Sequence, residues 1–291
     1  MSGQRVIERL IHGHKASDGD GVRLLRSLGQ GPSARHDPFL MLDEFRADEA
    51  DGRIGGFPPH PHRGFETVTY MLAGSMHHKD SLGNEGTIGP GGVQWMTAAG
   101  GIIHSEMPER QHGQMHGFQL WINLPAAHKM QAPRYQDIQA DRVPEYECEG
   151  ARVRVIAGSL AFDGQTLTGP VSDVVTAPHY LDLYLEPGAR ITLPIESDRS
   201  AMIYVHQGQV STGEGSLAPV SAGSAGLLSG GDAVTLEAGD EGAGLLLLAA
   251  VPVDEPVVQH GPFVMNSREE IEQAIRDFQN GDFERQDVAL S

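Results

Sequence analysis

Apolar residues along this chain come in short runs rather than long helical stripes. Each run is rich in β-branched, aromatic or leucine residues and is bounded by turn formers. Residues 67–72, 92–97, 117–124, 152–157, 181–185, 201–206 and 245–251 read as strands on this criterion. The 37 glycines and 18 prolines are spread throughout, so they punctuate many short segments instead of forming one flexible tract. The pattern predicts an all-β protein. One segment breaks the period: Ser267 is followed three residues later by Glu270, a capping-box signature, and then by Ile271, Ala274, Ile275 and Phe278 on one helical face. A helix over 267–280 is expected, stopped by Gly281 and packed on the strands.

The stretches "TVTYMLAGSM" and "MIYVHQGQV" each run a strand into a glycine turn, and "GTIGPGGVQWM" and "GLLSGGDAVTL" each set glycines before a strand. Two similar β units follow from this repetition. Residues 129–149 are polar, hold two prolines and lack sustained alternation, so they read as a linker. The expected division is therefore 1–144 and 145–291, with the helix in the second part.

Charge narrows the partners. The chain carries 21 Lys and Arg against 39 Asp and Glu, a formal charge of −18, which repels phosphate backbones and anionic membranes. Neither nucleic acid nor membrane is an expected partner. A single cysteine, Cys148, excludes an intrachain disulfide framework and suits a reducing compartment. With no signal-like segment and no apolar run of spanning length, the expected location is cytoplasmic. Phosphate-loop, dinucleotide-loop and nucleophile-elbow motifs are missing, which removes phosphoryl transfer and serine hydrolysis.

The candidate chemistry lies in "HPHRGFE", which opens on His60 and His62, and in "GIIHSE", which closes on His104 and Glu106. Residues two apart on a strand point the same way, so each pair can aim both side chains at one point. Fourteen histidines are enough for one H-x-H to arise by chance. A second pair of the form H-x-E, with glycines beside both, is harder to obtain by accident. Three nitrogens and one carboxylate oxygen form a borderline set suited to iron, manganese, nickel, copper or zinc. Glu66 has acceptable parity too. His77 and His78 are adjacent and must face opposite sides of a strand, while His112 and His116 flank a polar stretch that reads as solvated loop.

"HPHRGFETVTYMLAGSMHHKDS", "GPGGVQWMTAAGGIIHSEMPE", "QLWINLP", "HKMQAPRYQDI" and "GPFVMNSREEI" together resemble the pirin family of the cupin superfamily, and the likeness runs from near residue 36 to near residue 280. The resemblance implies a bicupin of two antiparallel β-barrels. It implies one mononuclear divalent metal, Fe(II) before Zn, Ni, Mn or Cu, held by His60, His62, His104 and Glu106 in the N-terminal barrel. Glu66 then stands behind the ligands, orienting an imidazole. The C-terminal barrel offers no H-x-H pair, and its His206 reads as structural.

The implied activity is metal-dependent cleavage of flavonols such as quercetin by O2 with release of CO, with Glu106 as the catalytic base. The implied substrates are a flavonol-like aromatic and O2. The alternative role carried by the same resemblance is a metal-dependent regulator that binds a protein partner, either a transcription factor or a metabolic enzyme.

Overall fold

The computed structural model describes residues 3–29, 31, 35–47, 54–109, 114–162 and 164–283. His112 lies outside them. Strands dominate, as the run pattern requires, with one α-helix near the C-terminus and two short 3-10 turns among the described residues. The sheets are open, in jelly-roll fashion, rather than closed into barrels.

The chain forms two compact units whose segments are interleaved. One comprises Met1–Lys15, Leu25–Pro38 and Asp141–Pro252, and the other Ala16–Leu24, Phe39–Ala140 and Val253–Ser291. A division at residue 144 misassigns both ends of the chain. The N-terminal segment joins the second half through sheet pairing, with Ile7 opposite Leu228 and Gln4 opposite Ala233. The C-terminal helix, Arg268–Asn280, joins the unit that carries the candidate histidines. Pairings across more than 200 residues leave no local trace, which is why composition alone places the cut wrongly.

The helix itself matches its sequence. The Ser267 hydroxyl accepts from the Glu270 amide while the Glu270 carboxylate accepts from the Ser267 amide, and Gly281 closes the end with φ 74°. Ile271 and Ala274 are buried with Phe263, Met265 and Phe283, and Ile275 packs beside them. Phe278 is 41% exposed yet keeps its ring against Phe263 and Phe283. Ser267→Ala removes one half of the box and is expected to cost about 1 kcal/mol in chemical denaturation.

In the histidine-bearing unit, one sheet runs in the order Arg134–Ile138, Val93–Thr97, Phe65–Ala73, Met115–Asn123, Phe39–Ala47, Val22–Leu28, His14–Asp18. The other runs Phe57–His62, Ile102–Glu109, Ser75–Asp80, Glu85–Ile88. The supposed linker therefore contains a strand, Arg134–Ile138, paired to Val93–Thr97, and a second, Glu145–Cys148, paired to Ala151–Ala157. Both are short and polar because each is an edge with one neighbour.

The unit around Asp141–Pro252 holds a continuous apolar cluster that includes Val153, Leu183, Ile203, Leu236 and Leu247. The other buries apolar residues such as Val68, Tyr70, Trp95, Phe118 and Leu120, with further clusters around Phe45, Phe65 and Met96. It also buries polar side chains: Asp43, Thr69, His78, Gln94, His104, Glu106 and Gln119 are each at most 7% exposed.

Candidate metal centre

Phe57–His62 reads FPPHPH, a sequence that would interrupt a central strand. It is an edge strand bonded only to Ile102–Glu109, where missing amides are tolerated. His104 sits opposite His60 and Ile102 opposite His62, after which the register slips so that Glu106 faces Phe57. The slip falls at Pro58 and Pro59, an irregularity of the kind that re-aims side chains.

Three imidazoles converge there. Ring centroids of His60 and His104 are 4.4 Å apart, His60 and His62 4.6 Å, and His62 and His104 4.9 Å. One nitrogen from each lies within 4.8 Å of the others, which fits a shared ion. The Nδ1–H of His60 donates to the Pro58 carbonyl at 2.8 Å, which leaves Nε2 with its lone pair free to coordinate. In His62 and His104 both ring nitrogens are buried without a hydrogen-bond partner. Orphaned buried nitrogens of this kind are costly unless something occupies them, and a cation is the partner a lone pair suits. Burial, together with the neighbouring rings, pushes both histidines well below their ordinary range, so they stay neutral as ligands must.

Glu106 lies beside this trio, with Oε2 4.0 Å from His104 Nε2. Both its oxygens are tied to the facing sheet. The Thr69 hydroxyl donates to Oε1 at 2.7 Å and the Gln119 amide to Oε2 at 2.8 Å. Thr69 and Gln119 are direct cross-strand partners, so one sheet position delivers both donors. Glu106 stands outside the tight three-histidine group, next to His104.

Glu66 behaves differently. It accepts from the Thr97 hydroxyl at 2.6 Å, not from an imidazole, which corrects the expected orienting role. Glu66 and Thr97 are opposite one another in register, so their side chains share a sheet face, and Thr69 lies on the other. Burial pushes the Glu66 carboxyl up to about 7, against the hydrogen bond from Thr97. A carboxyl raised in the folded state keeps its proton there after the unfolded chain has lost it. Stability from this group is complete below its ordinary value near 4.5 and is lost as pH rises through about 7. Glu66→Gln should therefore raise the unfolding free energy at pH 8 by about 3 kcal/mol while changing little at pH 4, as denaturation at the two pH values would show.

The adjacency of the two histidines in the sequence does not distinguish His78 beyond its facing away from His77. The faces are indeed opposite: His77 pairs with the exposed Glu85, whereas His78 is 2% exposed with Nδ1 3.6 Å from Glu106 Oε1. Its register partner is Glu106 itself. The available signal was the alternation Met76, His78, Asp80, which marks one buried face. Burial takes His78 down to about 4, so it is neutral at physiological pH. His116 also departs from expectation: it belongs to the Met115–Asn123 strand, with Nε2 2.7 Å from Glu44. Trp95 and Met96 are fully buried, and Trp121 packs its ring edge at 5.3 Å from His62.

The family models for pirin and for the pirin C-terminal cupin domain match residues 21–122 and 180–284. A Pseudomonas aeruginosa protein named "putative quercetin 2,3-dioxygenase" is 50% identical over 97% of this chain and 99% of its own. The chain belongs to the pirin family. Human pirin is 41% identical over 96% of this chain and 94% of its own length. The crystal structure of a quercetin 2,3-dioxygenase from Acinetobacter baumannii superposes with a TM-score of 0.87 at 32% identity, covering 97% of this pirin and 99% of that chain. Both cupin halves are thus present, and the three-histidine group of this pirin can hold a divalent metal.

Proposed function

We propose that this pirin is a metal-dependent dioxygenase that opens the ring of flavonols, with His60, His62 and His104 holding a divalent iron and Glu106 as the fourth ligand. The observation that carries the reading is the pair of fully buried, neutral, unpartnered imidazoles beside a third whose Nδ1–H is fixed by Pro58. Relatives named for quercetin dioxygenation support the substrate class. Iron would supply an open coordination position and the redox chemistry that couples a flavonol to O2.

The chain supplies the rest. Three neutral rings and one carboxylate leave net positive charge on a divalent site, which favours a flavonol anion over the neutral phenol. In this reading Glu106 takes the proton of the flavonol 3-hydroxyl, and its carboxylate is oriented by the Thr69 hydroxyl and the Gln119 amide that donate to it. Buried apolar walls at Phe65, and Trp121 beside His62, exclude water from one side of the site.

The test is anaerobic loading with Fe(II), followed by measurement of O2 uptake and CO release with a panel of flavonols. Stoichiometric O2 loss and CO gain are expected. An iron-loaded protein inert to the whole panel would sink the dioxygenase reading, and metal-dependent capture of a protein partner by that inert form would favour the regulator.

A further inference from the structure

The strand that ends in His62 continues into Arg63, a guanidinium that is 3% exposed and wholly occupied. Its Nε donates to the Gly100 carbonyl at 2.6 Å, Nη1 to Asp277 Oδ2 at 2.6 Å, and Nη2 to the Phe283 carbonyl at 3.2 Å. The Phe283 ring lies 4.4 Å beneath the charge. Along the backbone, the Arg63 amide donates to Pro262 and the Arg63 carbonyl accepts from Val264. The Pro262 carbonyl also faces the His62 ring without closing a hydrogen bond of ordinary geometry.

The second ligand strand is gripped by the same segment. Gly101 opens the approach to Ile102–Glu109 with φ +137°, and a Cβ there would stand 2.9 Å from both the Phe283 ring and its carbonyl. Ile103 packs against the helix cluster. Gly64, with φ +91°, has no room for a side chain against the Val264 carbonyl. Lys129 adds a third tie, its ammonium donating to Gly64, Asn123 and Val264. Both strands that present histidines therefore end against residues 262–283, although no residue in that segment is itself a candidate ligand.

We propose that Asp277 is a positioning residue for the metal centre: acting through Arg63, it fixes the strand end that carries His62, so the C-terminal segment works as a clasp on which metal affinity depends. Coordination geometry tolerates errors of only a few tenths of an ångström, and groups behind ligands commonly change affinity 10- to 100-fold. An isolated surface ion pair would contribute little. This pair differs because the arginine is buried and its two other donor contacts are backbone carbonyls, so loss of the carboxylate leaves a buried cation short of one partner and free to shift.

The inference rests on the metal-centre reading, and the experiment separates the two. Co(II) alone is titrated into apo-protein against a competing chelator, and the visible absorption of the bound ion is recorded as a report on ligand geometry. Asp277→Ala and the isosteric Asp277→Asn are compared with wild type, with Asp277→Glu as the conservative variant and Glu272→Gln as a charge control on the exposed side of the same helix. Asp277→Ala is expected to weaken Co(II) at least tenfold and to alter the absorption, with partial recovery in Asp277→Glu and no change beyond twofold in Glu272→Gln. If Asp277→Ala does not fold, Asp277→Asn decides, with a weakening of threefold or more expected. Wild-type affinity in the folded Asp277 variants, or equal weakening by Glu272→Gln, overturns the clasp alone. Wild-type protein that takes up no Co(II) overturns the clasp and the metal centre together.

Discussion

Replacing His60 and His104 together by alanine should reduce bound metal from about one ion per chain to nearly none, because it removes two of three nitrogen donors and leaves only His62 and the Glu106 carboxylate. His60 and His104 face each other across the strand pair. Elemental analysis after purification, with circular dichroism to verify the fold, is the check. Metal retained at full stoichiometry in the double variant would place the ion elsewhere. Zinc or nickel in a wild-type preparation would not count against the site, since availability and affinity order set which divalent ion is found.

Glu106→Gln is expected to separate metal retention from turnover. Glutamine keeps the length and one oxygen donor, so the hydroxyl of Thr69 still has an acceptor, but the amide of Gln119 then faces a group that presents NH2 as readily as oxygen. The three histidines should continue to hold iron, more weakly. Flavonol cleavage should fall by at least 100-fold, with the pH dependence of kcat/KM displaced, because the charge and the proton acceptor are both gone. An iron-loaded variant with unchanged rate and pH profile would remove the base assignment and leave the ligand set standing. Zinc-loaded wild-type protein should fold and not turn over; cleavage at the iron rate would rule out dioxygenation as the activity measured.

Much of this site was legible because period-two geometry acts over very short distances. His60 with His62, and His104 with Glu106, each declare a shared direction within three residues, and the glycines beside them announce turns. What joins the pairs was not legible. The register that sets His104 opposite His60 depends on a slip at two prolines, and the donors to Glu106 come from strands whose own patterns signal only burial. Thr69 and Gln119 lie in the strand runs "TVTYM" and "GFQLW", where one or two uncharged polar residues on a face are the only hint of a polar interior. The helix was legible for the same local reason, since its cap and stop lie within the segment. Its address was not: Asp277 and Arg63 are 214 residues apart, and an ion pair at that separation has no sequence signature.

The unequal burial of the three histidines has a kinetic consequence. His62 and His104 are sealed in the interior, whereas His60 is only partly covered and lies on an edge strand between Pro59 and Pro61. If an ion is held by this trio, its most exposed ligand would be His60, and release there would require that imidazole to turn away from the Pro58 carbonyl. The prolines restrict the backbone beneath that ring, so that release would run through side-chain rotation. Residence time and equilibrium affinity can then be tuned separately, the first at the doorway by His60 and its carbonyl, the second in the interior by the sealed pair.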